Sequence, residues 1–374
     1  MIARARRRHV PARNFAPNAA LMARNIKRGL VLATLTLGCA WALPTAAHHH
    51  AGAVGRVGTS SLSLFGPAGA GRYALAGPEL RLGLSYDFTF FGRALDGSAR
   101  FERGDLGTAQ LHLMTVATVL ELPRGTLFGA ALPVGVLSTS PPADSENAGR
   151  TASGLGDVQL WVGQRLAPLL KRSDSASAPR ADLALRAGVS LPTGRYDPSA
   201  GLTVTDVVGG PDGSIDIITF DTRTTLGLDT FALMFGMEGA LALSSRFALQ
   251  TSHAVSIPLS QTRDGILWGP DVVGALLLAA TILPEWLSLA AGPAYNSHFA
   301  DSVPTDRDTA GADAGRARLG GRHDVGAAAR LFGRLTPRLG YFIRANVPLW
   351  QWTGGVQLAE TFSLGAALTY SFGS

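Results

Sequence analysis

The chain has 374 residues, 46% of them apolar, with 33 basic and 27 acidic side chains and a net charge of +6. The first 47 residues carry that excess, holding eight of the basic side chains and no acid, so the remainder has 25 basic against 27 acidic residues, a net of −2. Beyond the leader there is no basic footprint for nucleic acid, and with Cys39 as its single cysteine the chain forms no internal disulfide.

In chain order, Arg24, Lys27 and Arg28 form a basic n-region ahead of the apolar run Gly29–Leu43, which is too short to span a bilayer as a helix. Small residues at Thr45 and Ala47 complete the pattern a signal peptidase reads, so residues 1–47 are expected to be a cleaved export signal. Met22 stands as a second candidate start after an Arg-heavy leader, and a lipoprotein reading through Cys39 lacks the usual apolar residue, with Thr36 in its place. Cleavage after Ala47 would make His48-His49-His50 the amino terminus. A terminal amine, two deprotonated amides and a third-position imidazole form a square-planar nitrogen set suited to Cu(II) or Ni(II). The competing reading is a flexible His-rich tail. Residues 48–77 are Gly-rich and small, which fits either a flexible segment or a plug entering a lumen.

From residue 78 to 374 no run reaches the roughly 18 apolar residues of a spanning helix; the nearest, Val272–Leu283, has the length of a strand. Membrane residence then requires a closed barrel, because lipid cannot satisfy free backbone donors and acceptors. The matching pattern is present. Leu80, Leu82, Leu84, Tyr86, Phe88 and Phe90 alternate with Arg81, Gly83, Ser85, Asp87 and Thr89. The same two-residue period runs through 182–191, 338–349 and 362–372, and a strand sorts such residues onto two faces where a helix would mix them.

The stretch Ser153–Leu166, SGLGDVQLWVGQRL, has two readings. Its glycines resemble a phosphate turn, but such a turn follows an apolar strand and opens a helix, whereas a polar, Pro-containing loop precedes this one. As a strand, Val158, Leu160 and Val162 share one face and Asp157, Gln159, Gly163 and Arg165 the other, with Trp161 discordant.

Short connections at Leu122–Gly125, Ser244–Arg246, Leu283–Glu285 and Thr336–Arg338, and a longer polar one at Ala167–Pro179, alternate with long loops near 92–108, 138–153, 194–224, 259–270, 297–321 and 351–357. That alternation matches periplasmic turns and extracellular loops. The expected fold is all-β, a transmembrane antiparallel up-and-down β-barrel of about twelve strands with both ends periplasmic; the ambiguous register of 225–243 leaves ten to fourteen open. A strand of about twelve residues, at roughly 3.3 Å each and tilted near 45°, covers about 28 Å, close to a bilayer core. A soluble sandwich or lipocalin-like barrel would pack one strand face into a core that needs large residues. Here the second face carries charges with many Gly, Ala and Ser residues, which suits a wet lumen.

Four stretches carry a family resemblance: Leu80–Arg93, Ser153–Leu166, Ala187–Pro198 (with its Leu-Pro-Thr-Gly strand exit) and Ser363–Phe372. The chain from about residue 78 onward resembles the meta-pathway phenol degradation family of outer-membrane transporter-like proteins. The resemblance implies an outer-membrane channel, associated in some members with uptake of aromatic or other apolar compounds; it supplies no catalytic residues. Two residues follow Phe372, displacing the terminal signal for the barrel-assembly machinery.

Candidate lumen and solute-path residues are Asp157, Arg165, Asp182, Arg186, Glu238, Arg330 and Arg344, able either to set solute preference or to pair and hold the barrel's shape. Candidate metal ligands are His48, His49 and His50. Asp306, Asp308 and Asp313 lack the later ligands of a calcium loop and are read as solvated. His112, His253, His298 and His323 each stand isolated from any nucleophile motif, so no enzyme and no cofactor are expected. Tyr86, Phe88, Trp286, Tyr341, Trp350, Trp352, Tyr370 and Phe372 are placed near strand ends, as an interfacial girdle. The expected function is an outer-membrane channel for small molecules, in contact with lipid, lipopolysaccharide and its solute but with no nucleic acid. The alternatives are a metal-associated barrel using the His tract and a structural barrel without transport.

Overall fold

The computed structural model describes residues 78–100, 107–140, 150–166, 181–195, 202–209, 215–222, 226–263, 265–304, 316–319 and 321–372. The strands in chain order begin with β1 (Glu79–Gly97), β2 (Ala99–Arg100), β3 (Thr108–Glu121), β4 (Thr126–Ser140), β5 (Arg150–Leu155), β6 (Val158–Arg165) and β7 (Ala181–Leu191). Then come β8 (Leu202–Gly209), β9 (Ile215–Thr222), β10 (Ala232–Ala242), β11 (Phe247–Pro258), β12 (Asp271–Leu283) and β13 (Leu287–His298). The last are β14 (Asp301–Pro304), β15 (Arg316–Leu319), β16 (Arg322–Arg334) and β17 (Leu339–Phe372).

Two of these elements resolve the strand count. β5 and β6 pair the same neighbour, β4, on either side of a one-residue slip at Gly156–Asp157, and form one bulged stave. β17 is a hairpin within one element: its first arm pairs β16 up to Thr353, its second pairs β1 from Val356, and Ser371 N donates back to Arg338 O at 2.9 Å. Neighbouring staves are antiparallel and consecutive, and the β17–β1 ladder closes the sheet into a twelve-stranded barrel. Closure leaves no edge with unpaired backbone groups, the condition a sheet must meet in lipid.

The two-residue period is the origin of the two faces. β3 alternates buried and non-buried residues along its whole length, with Leu111, Leu113, Thr115, Ala117 and Val119 inward and Met114, Val116 and Leu120 outward. Large apolar side chains such as Leu84 (47% exposed), Val162 (52%) and Leu278 (51%) cover the outside. A water-soluble protein does not tolerate so continuous an apolar surface; the barrel is transmembrane.

At the short-turn end, Tyr370 packs edge-on against Phe372 and Tyr341 OH donates to Trp286 O at 2.9 Å, which places these four rings in a girdle. Trp350 and Trp352 lie at the opposite end of β17's first arm, Trp352 stacked on His323. Tyr86 and Phe88 differ from expectation. They sit well inside β1, where Tyr86 OH meets His112 Nδ1 at 2.7 Å and Phe88 contacts the same imidazole, so they satisfy an outward-facing histidine.

The four short connections fall where expected, and the Ala167–Pro179 connection lies outside the described residues. The long loops are less irregular than their composition implies. β1 runs on to Gly97, β4 to Ser140 and β17 through 351–357, while β8–β9 and β14–β15 form separate two-stranded sheets. Gly and Asp are depleted in strands on average, but hairpin pairing overrides that weak preference here.

Candidate functional site

The candidate site is the lumen, and its charged side chains occupy three levels. Nearest the short turns, Arg165 bridges Glu121 (3.2 Å) and Asp182 (2.9 Å), and Arg81 also binds Glu121. All four side chains are nearly excluded from solvent. Removing one partner of such a network would strand a buried charge, which costs several kcal/mol, about 3–5.

At mid-height, Arg186 pairs with Glu238 at 2.8 Å and lies 4.7 Å over the ring of Trp161. Trp161 is therefore not discordant: odd positions of β6 face inward, and this indole is 4% exposed. It fits because both staves beside it carry glycine. A Cβ on Gly129 would stand 2.1 Å from the indole, and one on Gly188 would stand 2.6 Å from Trp161 Cβ. Across the lumen, Arg344 holds Asp87 at 2.6 and 3.0 Å. Arg330 donates to Ser252 Oγ at 3.0 Å and lies 5.8 Å from the ring centre of Phe342. These groups surround a cavity of about 170 Å³ whose wall also includes Leu111, Leu113, Val273 and Ala294.

Above the cavity, the segment 226–230 enters the lumen. Leu226 packs at Gly135, an inward position of β4, and Leu228 N donates to Asp157 Oδ2 at 2.7 Å. Gly194 N donates to the other oxygen of Asp157 at 2.8 Å, and Thr193 Oγ1 accepts from Val158 N. The two motifs of the family resemblance, Gly-Leu-Gly-Asp and Leu-Pro-Thr-Gly, thus meet in one joint. Of the two roles open to a lumen candidate, Asp157 has the structural one: it ties down backbone and is 4% exposed.

Leu228, Ala232, Ile266 and Trp268 form a buried apolar cluster at this level, and Trp268 Nε1 donates to Leu228 O at 2.9 Å. A second clasp joins the same two segments: Arg263 binds Asp229 through Nε (3.0 Å), Nη2 (3.2 Å) and its backbone N–H. Burial pulls the Asp229 carboxyl upward, but the hydrogen bonds and charge of Arg263 outweigh it and hold the group below the ordinary carboxylate value.

The far wall at this height is polar and buried. His298 lies between Asp271 (2.9 Å) and Asp301 (3.0 Å), while Arg322 binds Asp324 (2.9 Å) and faces Glu360 (3.9 Å). His298 thus has two carboxylate partners, and His253 contacts Thr251 Oγ1 (2.5 Å) and Tyr295 OH (3.0 Å).

The structure places the expected lumen residues on the inner face and distributes them: Arg165 and Asp182 low, Arg186, Glu238, Arg330 and Arg344 at the cavity, Asp157 at the constriction. Sequence reasoning missed Arg81, Glu121 and Asp87 as partners, although parity along β1 already set Arg81 and Asp87 on the polar face. It also missed Leu228, Ile266 and Trp268, which no period marks because they lie between strands. His48, His49 and His50, residues 51–77 and Asp306, Asp308 and Asp313 lie outside the described residues.

Closed barrel, apolar exterior and charged, constricted lumen define the class as a transmembrane β-barrel. No protein-family model matches the chain, and no curated protein does. Among solved structures, the chain is similar to an outer membrane channel from Pseudomonas putida F1, with a TM-score of 0.58 and 14% identity over 81% of this chain and 98% of that one. The β-domain of the Bordetella autotransporter BrkA gives 0.37 at 15% identity, covering 78% and 99%. The P. putida toluene transporter TodX gives 0.37 at 9% identity, covering 88% and 96%. The first of these shares the fold of this chain.

Proposed function

We propose that this protein is an outer-membrane channel for small, partly apolar organic molecules. The observation that carries the reading is the lumen: a charged interior around a cavity of about 170 Å³, capped by Leu228, which Asp157 holds inward by its backbone, together with Ile266 and Trp268. A cavity of roughly 150 Å³ takes one benzene ring, so a single-ring solute suits the space. An apolar constriction above paired charges favours solutes that shed water readily over bare ions, because gating by dewetting excludes the strongly hydrated. The solved channel from P. putida has the same fold and adds weight.

In the same reading, residues 1–47 are the export signal, residues 48–77 a leader or plug, and Phe362–Phe372 the stretch presented to the assembly machinery, with lipopolysaccharide around the outer rim. The finer assignment to the meta-pathway phenol degradation family rests on the joint between Asp157 and Gly194. The test is reconstitution of the mature chain in liposomes and planar bilayers. Swelling by small aromatic acids and discrete current steps are expected, and a folded barrel that passes neither ions nor any organic solute overturns the proposal.

A further inference from the structure

Charge does not balance around the central cavity. Arg186 has Glu238 and Arg344 has Asp87, both at salt-bridge distance, whereas the hydrogen-bond acceptor of Arg330 is the neutral hydroxyl of Ser252. Among the described residues, Arg81, Arg165, Arg186, Arg322 and Arg344 each reach a carboxylate inside the barrel, and Arg330 reaches none. Glu238 is the ladder partner of Ser252 and so lies nearby, but its carboxylate is bound to Arg186. The cavity therefore holds three guanidinium groups and two carboxylates.

The register sharpens the imbalance. Arg330 stands directly opposite Arg344 in the β16–β17 ladder, a pairing of like charges that is destabilising without an anion between them. Asp87 answers Arg344 alone. Arg330 also lies over the face of Phe342, and its neighbours are small: Ala290 in register on β13 and, two residues before it on its own strand, Ala328. Leu111, Leu113 and Val273 give the same cavity an apolar wall.

We infer that Arg330 is the carboxylate-binding residue of a lumen subsite for small aromatic monoanions. The carboxylate meets the planar guanidinium, which is suited to two-point contact, and the ring lies against the apolar wall. One monoanion cancels the excess charge. The inference rests on the channel reading and narrows its solute to a charge class.

The test compares benzoate with benzyl alcohol, one ring with and without a negative charge, as blockers of single-channel current through the mature chain. Benzoate is expected to interrupt the current at concentrations where benzyl alcohol does not. Arg330→Gln keeps a donor for Ser252 and is expected to raise the half-blocking benzoate concentration on the order of tenfold or more, and to shift the reversal potential in a KCl gradient toward cation selectivity. Arg330→Lys should retain part of the block. Heat-modifiable gel mobility reports whether each variant is folded. Equal block by the two compounds in the unsubstituted protein overturns the subsite, even if Arg330→Gln fails to assemble. A folded Arg330→Gln protein blocked like the parent also overturns it; either result leaves the channel reading standing. Absence of any current from the parent protein removes the channel reading itself.

Discussion

Replacing Asp157 with alanine tests whether the constriction is latched. The carboxylate is buried and accepts two backbone N–H groups, from Gly194 at 2.8 Å and Leu228 at 2.7 Å, that come from segments 37 and 71 residues away in sequence. Each is a hydrogen bond to a charged group, for which about 1.5–3 kcal/mol is typical, and each donor would be left without its partner in a buried site. Only the Leu228 bond ties the 226–230 segment itself, so its loss comes to about 1.5–3 kcal/mol, a factor of roughly 10 to 10² in the equilibrium between a seated and a released segment. The apolar cluster of Leu228, Ile266 and Trp268 still opposes release, so the variant should flicker rather than stand open. Asp157→Asn keeps one acceptor and turns an amide N–H₂ toward the other donor, so it should fall between. The assay is single-channel recording of folded protein: conductance and open probability are expected to rise in the order parent, Asn, Ala. A folded Asp157→Ala barrel with the parent's conductance and open probability would refute the latch.

Three further outcomes follow from the same geometry. Trp161→Ala removes the side chain beneath Arg186 and should cost about 3–5 kcal/mol in urea unfolding, while raising conductance; unchanged conductance would mean that the indole does not limit the path. Leu84→Arg places a charge on the lipid face at 47% exposure and should destabilise the barrel in lipid by about 2–4 kcal/mol if that position is near the midplane, less near an interface, read by refolding titration into vesicles. For the Asp229–Arg263 clasp, the carboxyl titrates below its ordinary value of 3.8. Its contribution is thus complete at neutral pH and lost as pH falls through that lowered value. Proteolysis between residues 226 and 231 should quicken only in that acid range, and quickening at pH 5 to 6 would assign it to another group.

The staves were legible in the sequence because their cause is local. A residue in β1 or β3 takes its face from its parity, so Leu84 and Asp87 could be sorted with no knowledge of their neighbours. The short turns were legible for the same reason. Trp161 shows where composition misleads: parity put it in the lumen, its bulk argued for lipid, and the deciding fact was the pair of glycines on two other staves, Gly129 and Gly188. Asp157 and Asp229 show the second limit. Both are defined by backbone groups that arrive from distant loops, and loops have no period from which to read a direction.

The arrangement also explains why the lumen is charged. A barrel of this size in water could fill its interior with large apolar side chains, as soluble barrels do. A barrel in lipid spends its large apolar side chains on the outside, and here the inner face is left with alanines, glycines and polar groups. Those polar groups must find one another or pay for isolation in a confined space. Arg165 with Glu121 and Asp182, and Arg186 with Glu238, do so across neighbouring staves and fix the cross-section. A pairing scheme that satisfied every charge would yield a rigid post with no affinity for a passing ion. Leaving Arg330 on a serine keeps one strong donor at the cavity, so the pairing that stabilises the wall and the arginine proposed to bind a carboxylate are parts of one charge pattern.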